Sequence, residues 1–336
     1  MRTTVILAAM LTAALWAAPA QARLVYVKQA GSTDSVVYVA RNSGKDPRRL
    51  GVGRAPTISP DGRWVAFVTA RVAGSEYDTV VLQKLRSGSR RLVMRSATVD
   101  SLRFSPDSAK LAAIADGKRV RVYRVSDGTL HVAAKGHIRG YSFSPDSERI
   151  VVGNATSAKF QARSDLYVGP ALGGAARERL TTVGNAINPV WGPEEVLFDR
   201  FKRRRDDAPA FNLWAVDPAE KDELRRLTRL TIPALVSGLV PLEVSADGRR
   251  LLAVFTGQDN EVGFTVATAN GRTRALSTDF GSGLVGFDLS SDGRTILAHT
   301  GGGAPQAAHD VVAVPYGRKG KPKLLVKDAA YPDWTR

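Results

Sequence analysis

The chain contains no cysteine, and only three methionines and four histidines occur among its 336 residues. Without cysteine there is no disulfide framework, no thiol nucleophile and no thiolate metal site. The histidines lie at positions 131, 137, 299 and 309, a spacing that matches no metal-ligand motif. The composition therefore excludes the cysteine-dependent classes of enzyme and metal protein.

The common catalytic and nucleotide-binding motifs are also missing. The sequence has no Gly-x-Ser-x-Gly nucleophile elbow, no Gly-x-x-x-x-Gly-Lys phosphate loop and no dinucleotide fingerprint. The run Gly301–Gly303 follows an apolar strand pattern and precedes no helical pattern, which indicates a flexible turn. We therefore predict no catalytic residue, no metal ligand and no cofactor.

A repeated turn phrase dominates what is present. Its clearest copy is Ser59-Pro60-Asp61-Gly62-Arg63-Trp64, and related copies occupy 105–108, 144–147, 192–195, 245–248 and 290–293. Proline favours the first central position of a type I turn, aspartate suits the second, and glycine adopts the left-handed conformation that closes the turn. We interpret the repeated carboxylates as acceptors for local backbone amides, with a structural and not a catalytic role.

The residues around each turn predict strands, because apolar positions alternate there with a period of two. The second residues of the copies, at 60, 106, 145, 193, 246 and 291, are 46, 39, 48, 53 and 45 positions apart. Units of this length with several short strands indicate a β-propeller. We predict an all-β fold over residues 23–336, a single propeller of seven four-stranded blades, with six or eight blades as alternatives.

The two ends of the chain are predicted to meet. The segment from Leu24 has the pattern of a second strand and lacks an inner strand before it, whereas Tyr331–Trp334 resembles an inner strand. Pairing these segments would close the first blade with the C-terminal strand and leave no open sheet edge. We expect removal of the last six residues to destabilise the ring.

The first 22 residues have the features of a secretory signal. Met1–Ala22 contains a lone Arg2, an apolar run from Val5 to Ala18 and the small-x-small sequence Ala20-Gln21-Ala22. This pattern predicts cleavage after Ala22 and a periplasmic or secreted mature protein. No later stretch has the roughly 20 apolar residues of a spanning helix, so no transmembrane segment is predicted.

The chain is strongly basic, with a formal net charge of +16. This charge favours anionic partners. For an exported protein these are envelope polymers or lipid headgroups, and no nucleic acid partner is expected. The sharpest basic feature is Lys202-Arg203-Arg204-Arg205 in the predicted fifth blade. We predict that it binds a phosphate- or carboxylate-bearing partner. The alternative is a solvated loop, partly neutralised by Asp206 and Asp207.

Two outer-strand phrases carry a family resemblance. Asp165-Leu166-Tyr167-Val168 with Arg179-Leu180-Thr181, and Asn212-Leu213-Trp214-Ala215 with Arg226-Leu227-Thr228, resemble the repeats of TolB-like propellers. Within that family TolB is a binding scaffold that engages a peptidoglycan-associated lipoprotein, and it has six blades, whereas seven are predicted here. The resemblance implies a binding role at the cell envelope.

These observations predict an exported, non-catalytic binding or scaffold protein of the cell envelope. Its partner would be an envelope protein or an anionic envelope polymer. The alternative is a propeller enzyme of the lyase or lactonase type with a site at the channel mouth. In that case His137, which precedes a predicted inner strand, would approach acidic residues across the channel.

Overall fold

The structure is a computed structural model that describes residues 22–30, 35–69, 75–159, 161–202, 210–232, 237–256, 261–276, 284–290, 292–301, 309–316 and 322–335. Residues 1–21 of the predicted signal segment, the cations Arg203, Arg204 and Arg205, and the acids Asp206 and Asp207 lie outside these residues. Every regular element within them is a β-strand, as the period-two pattern predicts.

The described residues form 27 strands. The first fourteen are β1 (Arg23–Lys28), β2 (Val36–Arg41), β3 (Arg48–Ile58), β4 (Trp64–Thr69), β5 (Asp78–Lys84), β6 (Arg90–Ser96), β7 (Val99–Phe104), β8 (Lys110–Ala115), β9 (Arg119–Arg124), β10 (Leu130–Lys135), β11 (His137–Phe143), β12 (Arg149–Ala155), β13 (Ser164–Pro170) and β14 (Glu178–Arg179). The others are β15 (Ala186–Trp191), β16 (Val196–Lys202), β17 (Ala210–Val216), β18 (Leu224–Arg226), β19 (Gly238–Val244), β20 (Arg250–Thr256), β21 (Glu261–Ala267), β22 (Thr273–Ala275), β23 (Val285–Leu289), β24 (Thr295–His299), β25 (Val311–Pro315), β26 (Lys323–Val326) and β27 (Ala329–Trp334).

Antiparallel pairing sorts the strands into four-stranded blades. Blade 1 contains β27, β1, β2 and the first half of β3, and blade 2 contains the second half of β3 with β4, β5 and β6. Blades 3 to 7 each use the next four strands, from β7–β10 to β23–β26. Leu24 of β1 pairs with Trp334 of β27, so the C-terminal strand closes the first blade, as predicted.

The hydrophobic core is divided among the junctions between blades. Seven clusters of buried side chains each join two successive blades. The cluster that contains Leu24, Tyr26, Trp334, Leu297 and Val311 joins blade 7 back to blade 1. Both faces of each blade are therefore covered, and the packing closes into a ring consistent with the seven predicted blades.

The repeated phrase forms the predicted turn. In the first copy the Ser59 hydroxyl donates to Asp61 Oδ1 at 2.6 Å, and the Arg63 amide donates to the same oxygen at 2.9 Å. Gly62 closes the turn with φ at 67°. Ser108 and Ser147 hold the closing position in two other copies with φ of 63° and 64°. The aspartate role predicted from turn chemistry is confirmed.

Hydrogen bonds between inner strands tie neighbouring blades together. In three blades the side chain two residues before the turn serine accepts a backbone amide from the next inner strand, and Asp333 of β27 does the same in blade 1. The pairs are Trp191 N with Ser142 Oγ at 3.0 Å, Leu289 N with Glu243 Oε2 at 3.2 Å, Trp334 N with Asp288 Oδ2 at 3.3 Å, and Ile58 N with Asp333 Oδ2 at 2.9 Å. These polar side chains have a structural role that the repeat pattern alone did not indicate.

Candidate functional site

The predicted basic patch begins at the end of β16. Lys202 is the last residue of that strand and its side chain is exposed. The rest of the patch, Arg203 to Arg205, lies outside the described residues, so its binding role stays a prediction. Lys202 shares one face of the blade-5 sheet with residues that the sequence prediction did not single out.

Those residues are Arg200, Asn212, Trp214 and Arg226. Arg200 precedes Lys202 by two positions and pairs with Asn212 across the sheet, while Trp214 pairs with Arg226. Side chains two apart on a strand, and those directly opposite on a neighbouring strand, point to the same face. The signal that could have found them is the period-two spacing of Arg200 with Lys202 and of Asn212 with Trp214.

The indole ring of Trp214 contacts the guanidinium groups of both Arg200 and Arg226. Arg200 Cζ lies 4.4 Å from the ring centroid and Arg226 Cζ lies 5.7 Å from it, both within cation–π range. Arg200 Nε donates to Asn185 Oδ1 at 2.9 Å, and Arg226 Nε donates to the Thr228 carbonyl at 2.8 Å. Both side chains are therefore held in place by one ring contact and one hydrogen bond each.

A cavity of about 420 Å³ opens beside this group, and we call it the basic cavity. Among the described residues its wall contains three cations and no carboxylate; these residues are Asn185, Arg200, Phe201, Lys202, Ala210, Asn212, Trp214, Arg226, Leu230 and Ile232. Burial lowers the pKa of Arg200; Asp165 opposes the shift and the nearby Arg226 adds to it. The cavity therefore concentrates positive charge at a partly desolvated position.

A second cavity of about 400 Å³ lies at the turn-side mouth of the channel, and we call it the mouth cavity. Six blades contribute to its wall, which is mainly apolar and aromatic; it includes Pro60, Phe104, Pro106, Phe143, Pro145, Val190, Trp191, Pro193, Val244, Ala246 and Leu289. Arg103 and Glu243 are its two charged side chains among the described residues. The turn prolines thus shape both the repeat and this cavity.

The basic cavity and the mouth cavity lie at opposite ends of β16. The mouth cavity touches Trp191 and Pro193, just before the strand, and the basic cavity touches Lys202 at its far end. Seven residues of strand span roughly 20 Å. The two cavities are therefore separate sites, about one strand length apart.

The four histidines do not converge. His137 is partly exposed at the start of β11, and His131 Nε2 lies 2.9 Å from the Thr129 hydroxyl on an outer strand. His299 and His309 do meet, with ring centroids 5.2 Å apart, and Tyr331 packs on His299 at 5.1 Å. Within the described ranges, no group of three or more histidine and carboxylate side chains could hold a metal ion.

Two buried polar side chains were also missed by the sequence prediction. Asp199 in β16 is fully buried, and burial raises the pKa of its carboxyl well above the ordinary value, against a weaker opposing hydrogen bond from Asn188. Burial likewise lowers the pKa of His299 to about 4. Asp199 Oδ1 and His299 Nε2 have no hydrogen-bond partner in the described part of the chain. The apolar pattern of a strand does not indicate whether a single polar residue within it is buried.

No family model matches the chain, and no curated protein matches it. Among solved structures, TolB from Acinetobacter baumannii is 15% identical with a TM-score of 0.54, over 95% of this chain and 67% of TolB. The β-propeller domain of the Trilobed protease from Pyrococcus furiosus is 14% identical with a TM-score of 0.65, over 90% of this chain and 93% of that domain. The chain has the fold of the TolB-like β-propellers.

That fold also occurs in enzymes. An oligogalacturonate lyase in complex with manganese is 13% identical with a TM-score of 0.61, over 92% of this chain and 86% of the lyase. At such identities the similarity establishes the architecture, and function has to be argued from the site. In the described part of the chain, no helix is long and apolar enough to cross a membrane.

Proposed function

We propose that the chain is an exported, non-catalytic binding module of the cell envelope, and that a protein partner inserts an extended segment into the mouth cavity. The observation that carries this proposal is the wall of that cavity, to which six blades contribute apolar and aromatic side chains. Its volume of about 400 Å³ lies within the range of ligand-binding cavities. Buried aromatic contacts at the centre of an interface supply much of its binding energy.

The cavity is suited to binding because its wall is rigid. Pro60, Pro106, Pro145 and Pro193 stand in turns that are held by backbone hydrogen bonds. A pre-organised wall loses little conformational entropy when a partner binds. Arg103 and Glu243 would orient the inserted segment by hydrogen bonds to its backbone or polar side chains.

The compartment follows from the leader sequence. Residues 1–22 have the pattern of a cleaved signal, and the similarity in fold to TolB supports a binding role for the exported product. The high positive charge favours an anionic partner surface around the central apolar contact.

The test is site-specific photocrosslinking in the producing cells. A photoreactive residue at Ala246, an exposed position in the wall of the mouth cavity, should capture one discrete protein. The same residue at Leu130, which is 42% exposed on an outer strand, is the matched control and should not capture it. Identical adducts from both positions, or none from Ala246, would contradict the proposal.

The second candidate is a propeller enzyme of the lyase or lactonase type. It is favoured by the contact between His299 and His309, where one imidazole nitrogen is unpartnered within the described residues, and by the shared fold with oligogalacturonate lyase. The test is turnover of an anionic oligosaccharide or a lactone. Turnover that is abolished in His299→Gln and unaffected in His131→Gln would favour the enzyme hypothesis.

A further inference from the structure

Asn212, Trp214 and Arg226, which we call the clamp of blade 5, have counterparts in blade 4 that differ in charge. In blade 4, Asp165 of β13 pairs with Asn154, and Tyr167 pairs with Arg179. In blade 5, Asn212 of β17 pairs with Arg200, and Trp214 pairs with Arg226. The two arginines also bond alike, because Arg179 Nε donates to the Thr181 carbonyl and Arg226 Nε donates to the Thr228 carbonyl. Asp165 and Asn212 are therefore equivalent positions.

In blade 4 the arginine has a carboxylate partner. Arg179 Nη2 donates to Asp165 Oδ2 at 2.6 Å, and Asp165 is nearly buried. The other oxygen of Asp165 accepts from the Thr181 hydroxyl at 3.2 Å and from the Gly184 amide at 2.8 Å. The clamp of blade 4 is thus neutral and satisfied by the chain itself.

In blade 5 the same clamp has no carboxylate. Asn212 Oδ1 accepts from the Thr228 hydroxyl and from the Leu230 amide, both at 2.9 Å, as Asp165 Oδ1 accepts in blade 4. The second polar atom of Asn212 is an amide nitrogen that donates to the Leu230 carbonyl, so it cannot accept from Arg226. Blade 5 therefore keeps the hydrogen bonds of Asn212 to the Thr228 hydroxyl and the Leu230 amide, but the Asn212 side chain gives Arg226 no carboxylate like the one that Arg179 has in blade 4.

Two further cations increase the difference in charge between blade 5 and blade 4. Arg200 stands where blade 4 has Asn154, and Lys202 stands where it has Thr156. Within the described residues none of Arg200, Lys202 and Arg226 forms an ion pair. The carboxylate that acts on Arg200 is Asp165, and its oxygens are already used by Arg179, Thr181 and Gly184.

We propose that the basic cavity binds the side-chain carboxylate of an acidic peptide segment, which accepts hydrogen bonds from the Arg226 guanidinium beside the Asn212 side chain that fills the place of Asp165. The occupant is an aspartate or glutamate side chain because that is the group this clamp holds in blade 4. Arg200 and Lys202 attract further acidic residues of the same segment, and guanidinium groups on an aromatic ring bind carboxylates in a fixed geometry.

This inference goes beyond the proposed function and shares no residue with the mouth cavity. A failure here leaves the Ala246 crosslinking result unaffected, and the reverse also holds. The probe is a fluorescent tetraglutamate peptide, with the matched tetraglutamine peptide as its uncharged control, measured by fluorescence anisotropy on the full mature chain at low ionic strength.

The decisive variant is Asn212→Asp, which supplies the missing carboxylate within the chain. It should weaken tetraglutamate binding about tenfold or more because Arg226 gains an internal partner. Arg226→Gln should weaken it similarly. Arg49→Gln removes one charge from an exposed position on β3 and should change binding less than about twofold, because screened surface charges act weakly. Thermal melting checks that each variant is folded.

Several outcomes would overturn the inference. Equal losses of tetraglutamate affinity in Asn212→Asp and Arg49→Gln would show that the attraction is non-specific. Equal binding of the tetraglutamine peptide would show that the site does not recognise a carboxylate. Displacement of the peptide by inorganic phosphate at lower concentration than by glutarate would assign the site to phosphate. Binding that occurs only in the Asp206→Asn/Asp207→Asn variant would show that the chain occupies its own site, whereas equal binding in both forms supports an external ligand.

Discussion

Blades 4 and 5 have the same strand pairing but differ in their polar side chains at three equivalent places: the turn, the second strand and the clamp. The turn of blade 4 contains Ser144 and Asp146, whereas that of blade 5 contains Gly192 and Glu194. The second strand holds Gly153 in one and buried Asp199 in the other. The clamp holds Asp165 in one and Asn212 in the other. Hence the strand pairing does not depend on these side chains, and among the described residues only the clamp arginine of blade 4 has a carboxylate partner within the chain.

The largest expected effect comes from the clamp. Asp165→Ala leaves Arg179, the Thr181 hydroxyl and the Gly184 amide without their acceptor, and should lower the free energy of unfolding by about 3 kcal/mol. Asn212→Ala removes neutral hydrogen bonds and should cost about 1 kcal/mol. Urea unfolding measures both. If both variants lost the same free energy of unfolding, the two clamps would contribute equally to stability, which would contradict the difference that we infer between blades 4 and 5.

An intermediate effect is expected at Asp199. Its folded-state pKa is raised, so the protonated form is favoured in the folded protein, and its stability contribution is lost as pH rises above the ordinary carboxyl range of about 4. Asp199→Asn stays neutral and should be more stable than the natural chain by about 2 kcal/mol at pH 8, with no gain near pH 3. Thermal or urea unfolding across this range measures the difference. A gain that is independent of pH would exclude titration of Asp199 as its cause.

The smallest effect is expected in the turns. Hydrogen bonds from the Ser144 hydroxyl and the Glu148 amide lower the pKa of Asp146, so its contribution is present above the ordinary carboxyl pKa and is lost as pH falls through the folded value. Asp146→Ala should cost about 1 kcal/mol at pH 7, and this cost should decrease as the pH is lowered. Glu194→Ala, on the exposed turn of blade 5, should cost less than about 0.5 kcal/mol. A similar cost for both would show that the serine–aspartate pair does not stabilise the turn.

Much of the architecture could be predicted from the sequence. The Ser-Pro-Asp-Gly copies, their spacing and the period-two flanks predicted the turns, the strands and the closure by Tyr331–Trp334, and the structure confirms each of them. These features are local, because turn chemistry depends on adjacent residues and strand faces depend on alternation. Binding by the patch Lys202 to Arg205 stays a prediction. Lys202 lies at the edge of the basic cavity, whose other cations, Arg200 and Arg226, were not singled out from the sequence.

The sequence by itself determined the repeating unit, because each turn and each alternating strand is specified within a few residues. The tertiary structure decided which polar side chains meet, because Arg200, Trp214 and Arg226 come from three strands and only sheet pairing brings them onto one face. The same applies to the mouth cavity, whose wall comes from six blades. Contacts between residues that are distant in sequence depend on sheet pairing and on the packing of blades in the ring. Local sequence patterns therefore predict the blades, but they do not predict which side chains form the two cavities.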